Sequence, residues 1–415
     1  MSPFTPEAAA RLPGPEWMRE RRVAAADRFV DTGLPTEAEE IWRYSRISEL
    51  DLDAYEPVTE GSSEVPDGID LTGVGERSAL IVTSNGRVVA AELDPALAER
   101  GVVAGDVADA DLLETVALSS TDAFTELSTA FTSSATLVRV PKGVVVDRPI
   151  VVAHWIDGDG AAVFPRTFVK LSEDAQATVI ELYQSADIAA FVDPVIELDV
   201  EAAARLSYTS VQRLGPRVWQ TAYQASRVGR DAELRSAAVA LGGDYARLRT
   251  DSRLEGRGAT SYLLAVYFGA GSGMHDFRTM QDHAAPATTS DLLFKGAVAG
   301  TAKSVYSGLI RVRKEAPGTN AFQTNRNLVL SEGAGAESVP NLEIETNDVR
   351  CSHASAVGPI DEEQRYYLES RGIPPQIAER LIVLGFFAEV LERLPSPDLG
   401  RTLGDELAVR LEAVR

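Results

Sequence analysis

Six segments of the chain repeat one pattern, in which a turn of small residues leads through an alanine into a β-rich run. The alanines are Ala175, Ala204, Ala232 and Ala259, with looser copies at Ala302 and Ala336. The first three intervals are 29, 28 and 27 residues. No long run of 3.6-residue periodicity separates these strands, so the crossover helices of a doubly wound sheet are missing. The period predicts a β-solenoid, and a β-sandwich with evenly spaced turns is the alternative.

The solenoid pattern occupies the middle of three zones. Residues 1–135 are predicted to be mostly helical, with a β-hairpin where Asn85-Gly86 separates two β-branched runs. Residues 136–356 form the predicted solenoid core. Residues 357–415 are predicted to be a helical domain that caps the solenoid or docks a partner.

The C-terminal zone carries the clearest helix signals. Asp361 with Gln364 three positions later is typical of a helix N-terminus, and Pro374-Pro375 opens the next helix. The apolar stripe of that second helix is predicted to be Ile377, Leu381, Leu384, Phe387, Leu391 and Leu394. A final amphipathic helix follows after Pro395.

Charge and cysteine content exclude several classes of protein. The 415-residue chain has a formal net charge of −22, which disfavours nucleic acid and anionic membranes as partners. A single cysteine excludes an internal disulfide framework and a zinc site built from cysteine pairs. We find neither a signal-peptide pattern nor an uncharged apolar run of about 18 residues, so a cytoplasmic location is expected.

Three of the four histidines have simple structural interpretations. The segment FGAGSGMHDF (268–277) lacks the ending of a nucleotide-binding P-loop, and it is predicted to be a flexible loop between coils. His275, Asp276 and His283 lie in this loop-like sequence without a further strong ligand, so a metal site there is disfavoured. His154 alternates with apolar neighbours and is predicted to occupy a sheet position.

The fourth histidine, His353, lies two positions after the only cysteine, Cys351. In a strand these side chains and Val349 point to the same face. A free cysteine is often simply buried, yet a thiol beside an imidazole is also a soft ligand pair for iron or sulfur species. Two ligands cannot complete a site, so a functional interpretation requires ligands from another chain.

The C-terminal third of the chain resembles a known family. The sequence PNLEIETNDVRCSHASAVGPIDEEQRYYLESRGIPPQIAERLIVLGFFAEVL is similar to the SufB/SufD family of iron–sulfur cluster assembly scaffolds, and is closest to its SufD members. Gly308, Gln323 and NLVLSEGA upstream fit the same pattern, as does GLPTEAEEIWRYSRISEL (33–50) near the N-terminus. The resemblance spans nearly the whole chain and is strongest in residues 320–390.

This resemblance implies a right-handed parallel β-helix between an N-terminal helical region and a C-terminal helical domain. It further implies pairing with a SufB-like paralogue and binding of a SufC-like ABC ATPase. His353 matches a SufD histidine at the pairing interface, where it is implied to contribute to a transient iron–sulfur cluster, with Cys351 assisting or only packing. The implied pairing edge includes Asn341, Glu343 and Val349, and the implied ATPase-docking residues are Leu384, Phe386 and Phe387.

Two departures from the SufB pattern favour a SufD-like, non-enzymatic subunit. SufB proteins place a cluster-building cysteine where this chain has Asn325, and a glutamate where it has Ala354. An isolated chain is therefore expected to hold no stable cluster. A stand-alone SufB-like scaffold remains an alternative, as does a β-helical carbohydrate-active enzyme, although its acids are scattered without paired carboxylates. The sequence leaves open whether the chain alone forms a homodimer.

Overall fold

The computed structural model describes residues 2–59, 64–107 and 122–414, and two long sheets dominate it. The first sheet contains, in spatial order, β4 (Val103–Asp106), β5 (Ala135–Val140), β8 (Arg166–Leu171), β11 (Val195–Val200), β13 (Val218–Val228), β15 (Tyr245–Leu254), β17 (Met274–His283), β19 (Lys303–Val312) and β21 (Gly335–Ile344). Three short strands pair at its side, namely β1 (Glu56–Pro57), β7 (Ala161–Val163) and β10 (Ala190–Val192).

The second sheet lies opposite the first. Its spatial order is β3 (Arg87–Leu93), β2 (Ala79–Ser84), β6 (Ile150–Ile156), β9 (Gln176–Ser185), β12 (Arg205–Arg213), β14 (Glu233–Ala240), β16 (Thr260–Gly269), β18 (Thr289–Val298), β20 (Thr319–Val329) and β22 (Val349–Gly358). Apart from the two outermost pairs, β2–β3 and β4–β5, neighbouring long strands are parallel. The predicted mainly β fold with a solenoid core is therefore confirmed.

The repeat seen in the sequence is a stacked turn. In the first four copies the residue before the repeated alanine has a positive φ, as at Asp174 (59°) and Ala203 (59°). The alanines of these four copies are buried, so a larger side chain there would have to displace close-packed neighbours. Backbone N–H groups continue the ladder through the turns, with Asp174 donating to the Ala202 carbonyl at 2.9 Å. The period thus follows from one left-handed residue and one buried alanine per coil.

Helices and a hairpin cover the start of the solenoid. The helices are α1 (Pro6–Arg11), α2 (Glu16–Thr32), α3 (Pro95–Glu99) and α4 (Ala123–Phe131), with short 3-10 turns at Glu40–Trp42, Ile47–Glu49 and Leu52–Ala54. The predicted hairpin is confirmed: β2 and β3 pair antiparallel, and both Asn85 and Gly86 have positive φ, as a type I′ turn requires. An aromatic cluster including Phe4, Phe131 and Phe164 joins this region to the first sheet.

A buried charge cluster fastens the N-terminal segment to the outer face of the first sheet. Arg247 and Arg278 both contact the carboxylate of Asp276 at 2.6 Å. Their remaining nitrogens donate to the backbone carbonyls of Ile41 at 2.7 Å and Arg43 at 2.6 Å. Burial acts to raise the pKa of Asp276, but the two guanidinium groups hold this pKa below its usual value.

Three C-terminal helices follow the solenoid: α5 (Glu362–Ser370), α6 (Pro375–Leu391) and α7 (Pro397–Ala413). As the sequence predicted, Asp361 caps α5, accepting hydrogen bonds from the N–H groups of Glu363 and Gln364. Apolar side chains of α6 and α7 form one buried cluster with the outer face of the second sheet. Within the described residues, no helix is both long and apolar enough to cross a membrane.

Candidate functional site at the open end of the solenoid

The outermost strands at the two ends of the solenoid are paired differently. At the N-terminal end the sheets terminate in β3 and β4, which pair antiparallel with their neighbours and contact each other. At the C-terminal end β21 and β22 are each hydrogen-bonded to another strand along one edge only, as far as the described residues show. Each is ten residues long. The last coil therefore offers two long, unpaired strand edges.

Side chains alternate between the two faces of a strand, so Cys351 and His353 share one face of β22. Both lie on the side that faces the solenoid interior, in register with Ala321 and Gln323 of β20. Cys351 is half-buried and packs with Val349 against a small apolar cluster that includes Ile310. His353 is exposed, because no further coil among the described residues covers it.

The environment of Cys351 favours a packing role over metal binding or a nucleophilic role. Partial burial raises the pKa of the Cys351 thiol, which reduces the fraction of thiolate at neutral pH. The thiolate, and not the thiol, is the form that acts as a nucleophile and as a metal ligand. We therefore interpret Cys351 as a packing residue beside the accessible His353.

The other predicted edge residues lie on β21. Asn341 and Glu343 are on its outer side and are exposed, in register with Leu309 and Arg311 of β19. Arg311 approaches the Glu343 carboxylate at 3.5 Å. The structure thus brings Asn341, Glu343 and Val349 to the same open end as His353.

A polar network inside the solenoid holds Asn325, the residue that the resemblance places where SufB proteins have a cysteine. Its amide nitrogen donates to the Tyr267 hydroxyl at 3.1 Å, and its oxygen accepts from Asn327 at 2.8 Å. Tyr267 in turn donates to Asn327 at 2.6 Å. The asparagine is buried and fully engaged, so this position is structural in the present chain.

The predicted helical stripe of α6 is partly wrong. Phe387 is fully buried in the cluster against the second sheet, so it is not available for docking a partner. Ile377 and Leu381, predicted to share its face, are instead exposed by 41% and 45%. Because α6 is apolar around most of its circumference, its spacing did not identify the face that meets the solenoid.

Leu384 and Phe386 lie at the margin of this packing and are half-buried. The side chain of Lys295, itself buried on β18, fixes that part of α6. Its ammonium group donates to the Phe386 carbonyl at 2.9 Å, pairs with Glu389 and lies 4.6 Å from the Phe386 ring centroid. The helix is therefore held by a charged anchor as well as by apolar contact.

An open groove lies between α5 and α6. Its volume is about 960 Å³, and its lining residues are Leu328, Pro359, Asp361, Glu363, Gln364, Tyr367, Leu368, Leu381, Ile382, Gly385 and Phe386. Tyr366 and Tyr367 of α5 are exposed by 73% and 58%. This combination of exposed aromatic rings and an apolar floor is typical of a protein-binding surface.

The glycine-rich segment differs from its prediction. The loop is confined to residues 270–273, and His275, Asp276 and His283 belong to the buried strand β17 rather than to a flexible loop. Burial lowers the pKa of both histidines to about 4, so they are neutral at pH 7. In the part of the chain that the structure describes, no group of three His, Cys, Asp or Glu side chains is arranged to hold a metal ion.

His154 occupies the sheet position that was predicted, and the structure adds its partners. The imidazole is buried on β6, where it contacts the Thr83 hydroxyl and the Glu181 carboxylate, each at 2.7 Å. Thr167 and Tyr208 also donate to Glu181. Each member lies on a different strand, so only the coil register, and no local motif, would have indicated this network.

Comparison with known proteins gives a consistent result. Residues 154–386 match the family model described as SUF system FeS cluster assembly, SufBD core domain. The chain is 34% identical over 388 residues to the SufBD family protein Rv1462 of Mycobacterium tuberculosis, covering 91% of this chain and 90% of the relative. It is 29% identical to SufD of Escherichia coli and 27% identical to SufD of Bacillus subtilis, with 92% of this chain and 91% of each relative covered. The chain therefore belongs to the SufBD family of iron–sulfur cluster assembly proteins.

Proposed function

We propose that this chain is a SufD-like, non-catalytic subunit of a cytoplasmic iron–sulfur cluster assembly complex. In this role it pairs with a SufB-like paralogue, binds a SufC-like ABC ATPase and supplies a histidine to a cluster under construction. Similarity to SufD proteins across nine-tenths of the chain supports the choice of subunit. The absence of the SufB cysteine at Asn325 supports it further.

The observation that carries the pairing proposal is the open end of the solenoid. Long unpaired edge strands promote association with other chains unless charges, bulges or covering segments prevent it. The residues of β22 that face outward between Arg350 and Gly358 are Ser352, Ala354 and Ala356, all small and uncharged. A partner strand added along β21 and β22 would satisfy their free backbone groups, with Asn341, Glu343 and Val349 at the junction.

His353 is the residue of this end best suited to bind iron. A neutral imidazole is a common metal ligand, and this ring is accessible from outside the solenoid. One imidazole does not hold a cluster, so the remaining thiolate or carboxylate ligands come from the partner. The cluster is accordingly a transient cargo of the interface and not a resident cofactor of this chain.

The groove between α5 and α6 is the proposed contact for the ATPase. It offers Leu381 and Phe386 beside the exposed ring of Tyr367, and Asp361 and Glu363 give its rim a negative charge. A complementary partner presents an apolar segment flanked by basic residues. Leu384, which is half-buried, contributes at the margin, whereas Phe387 contributes only to the core.

The direct test is to coexpress the chain with the SufB-like and SufC-like proteins of the same host and to compare His353→Ala, Cys351→Ala and Ser352→Ala. Ser352 is the control, because it is exposed beside His353 but faces the other side of the strand. We expect all three complexes to assemble. His353→Ala should sharply reduce cluster formation and growth under iron limitation, and Cys351→Ala should have a smaller effect. Full activity of His353→Ala would contradict the proposed role.

Two further measurements separate the alternative classes. Iron and sulfide reconstitution of the isolated chain should leave no stable cluster, whereas a stand-alone scaffold would retain one. A polysaccharide cleavage screen should show no activity, whereas a carbohydrate-active β-helix would cleave a substrate. Gel filtration of the isolated chain shows whether it forms a homodimer.

A further inference from the structure

A buried amide lies directly beneath the exposed histidine. Gln323 of β20 is in register with His353 of β22, and both side chains are on the interior side of adjacent parallel strands. Adjacent strands lie about 4.8 Å apart, so neighbouring side chains on one face are within reach of a hydrogen bond. Gln323 belongs to the last covered coil, and His353 belongs to the open one.

Gln323 is unusual because its amide is buried without a partner. Only 1% of the residue is exposed, and neither its oxygen nor its nitrogen has a hydrogen-bond partner in the structure. Leaving a buried polar group unpaired is destabilising, because the group loses its hydrogen bonds to water, so its presence requires an explanation. The neighbouring side chains of the same strand, Asn325 and Asn327, are both hydrogen-bonded.

The Gln323 amide occupies space that a side chain on Gly308 would fill. Gly308 lies opposite on β19, and a Cβ atom there would be 2.8 Å from the Gln323 amide nitrogen and 2.1 Å from the Tyr306 hydroxyl. Tyr306 is already engaged with Thr279 at 3.0 Å. The hydroxyl of Ser338 on β21 is also buried without a partner. The interior at this level is therefore close-packed yet polar, and its unpaired groups lie just inside the open end.

We propose that Gln323 is a positioning residue for His353. On this view, which rests on the proposed function, the amide oxygen accepts a hydrogen bond from one ring N–H of His353 once the partner covers the open end. That bond fixes one tautomer and directs the lone pair of the other ring nitrogen toward the incoming iron. Histidines that bind metals commonly donate their second ring N–H to a carbonyl or carboxylate in this way.

Three variants of the complete complex test this role. Gln323→Met keeps the shape of the side chain but removes the amide, and cluster formation should fall roughly 10- to 100-fold. Gln323→Glu keeps an acceptor oxygen and should retain more activity than Gln323→Met. Gln281→Met is the matched control, because Gln281 is also buried with an unpartnered amide but lies on β17, away from His353. Its cluster formation should be unchanged.

The melting temperature of Gln323→Met and the tautomer of His353 distinguish a positioning role from a general structural effect. Gln323→Met replaces an unpaired polar group, so its melting temperature should be unchanged or higher than that of the parent. Nitrogen-15 spectra of the complex with only this chain's four histidines labelled should show one tautomer of His353 in the parent and a mixture in Gln323→Met.

The outcomes distinguish the inference from the function on which it rests. Full activity of His353→Ala would overturn the proposed function, whatever Gln323 does. An inactive His353→Ala beside a fully active Gln323→Met would overturn only the positioning role. Equal losses in Gln323→Met and Gln281→Met, or a large fall in melting temperature for Gln323→Met, would also overturn it, since they indicate a structural effect.

Discussion

Replacing Phe387 with alanine should destabilise the C-terminal helices, whereas replacing Leu381 should weaken only partner binding. Phe387 is completely buried between α6 and the second sheet, so its loss costs about 3–5 kcal/mol including the cavity left behind. Leu381 remains 45% exposed on the same helix. Half of a leucine's burial energy, without an enclosed cavity, gives a cost of about 1 kcal/mol or less.

The assay combines urea unfolding followed by far-ultraviolet circular dichroism with calorimetric titration of the SufC-like ATPase. Leu381→Ala should unfold at nearly the parental urea concentration but bind the ATPase more weakly. Phe387→Ala should shift the unfolding midpoint markedly. A Phe387→Ala protein of parental stability that no longer binds the ATPase would refute this assignment of the two faces of α6.

Three other predictions concern buried groups of the solenoid. Burial raises the pKa of Asp193 well above its usual value, so the native state binds a proton there that the unfolded state has released. The free energy of unfolding therefore falls as pH rises above the unfolded-state pKa of this group. Asp193→Asn should raise the free energy of unfolding at pH 7 and flatten the dependence of that free energy on pH. His154→Ala leaves the buried Glu181 carboxylate without its imidazole partner and should cost about 3–5 kcal/mol in urea unfolding. Gly308→Ala places a methyl group 2.1 Å from the Tyr306 hydroxyl, and should lower the melting temperature through a cost of about 1–3 kcal/mol.

Features that repeat from coil to coil, or that depend on a single turn, could be predicted from the sequence. The spacing of Ala175, Ala204 and Ala232 corresponds to the strand register, in which Arg205 pairs with both Gln176 and Glu233, offsets of 29 and 28 residues. The Asn85-Gly86 turn also depends only on local backbone preferences. Such features need no knowledge of distant parts of the chain.

Features that depend on packing between distant segments could not be predicted. The glycines within FGAGSGMHDF suggested a loop, but β17 begins at Met274 and places His275 in the interior. The clamp between Arg247 and the Ile41 carbonyl joins residues 206 positions apart, and nothing local to either residue indicates it. Gln323 was visible as part of a family pattern, but its unpaired amide and its place beneath His353 required the coil register.

Backbone hydrogen exchange of the chain, alone and in complex with the SufB-like paralogue, measures directly whether the open end pairs with that partner. If the open edges pair with that partner, amides within β21 and β22 should exchange far more slowly in the complex, because strand addition supplies the missing hydrogen bonds. Amides of the interior strands β12 and β14, already paired on both edges, should be unchanged. Protection that appears elsewhere and leaves β21 and β22 exchanging at their free rates would contradict pairing through the open end.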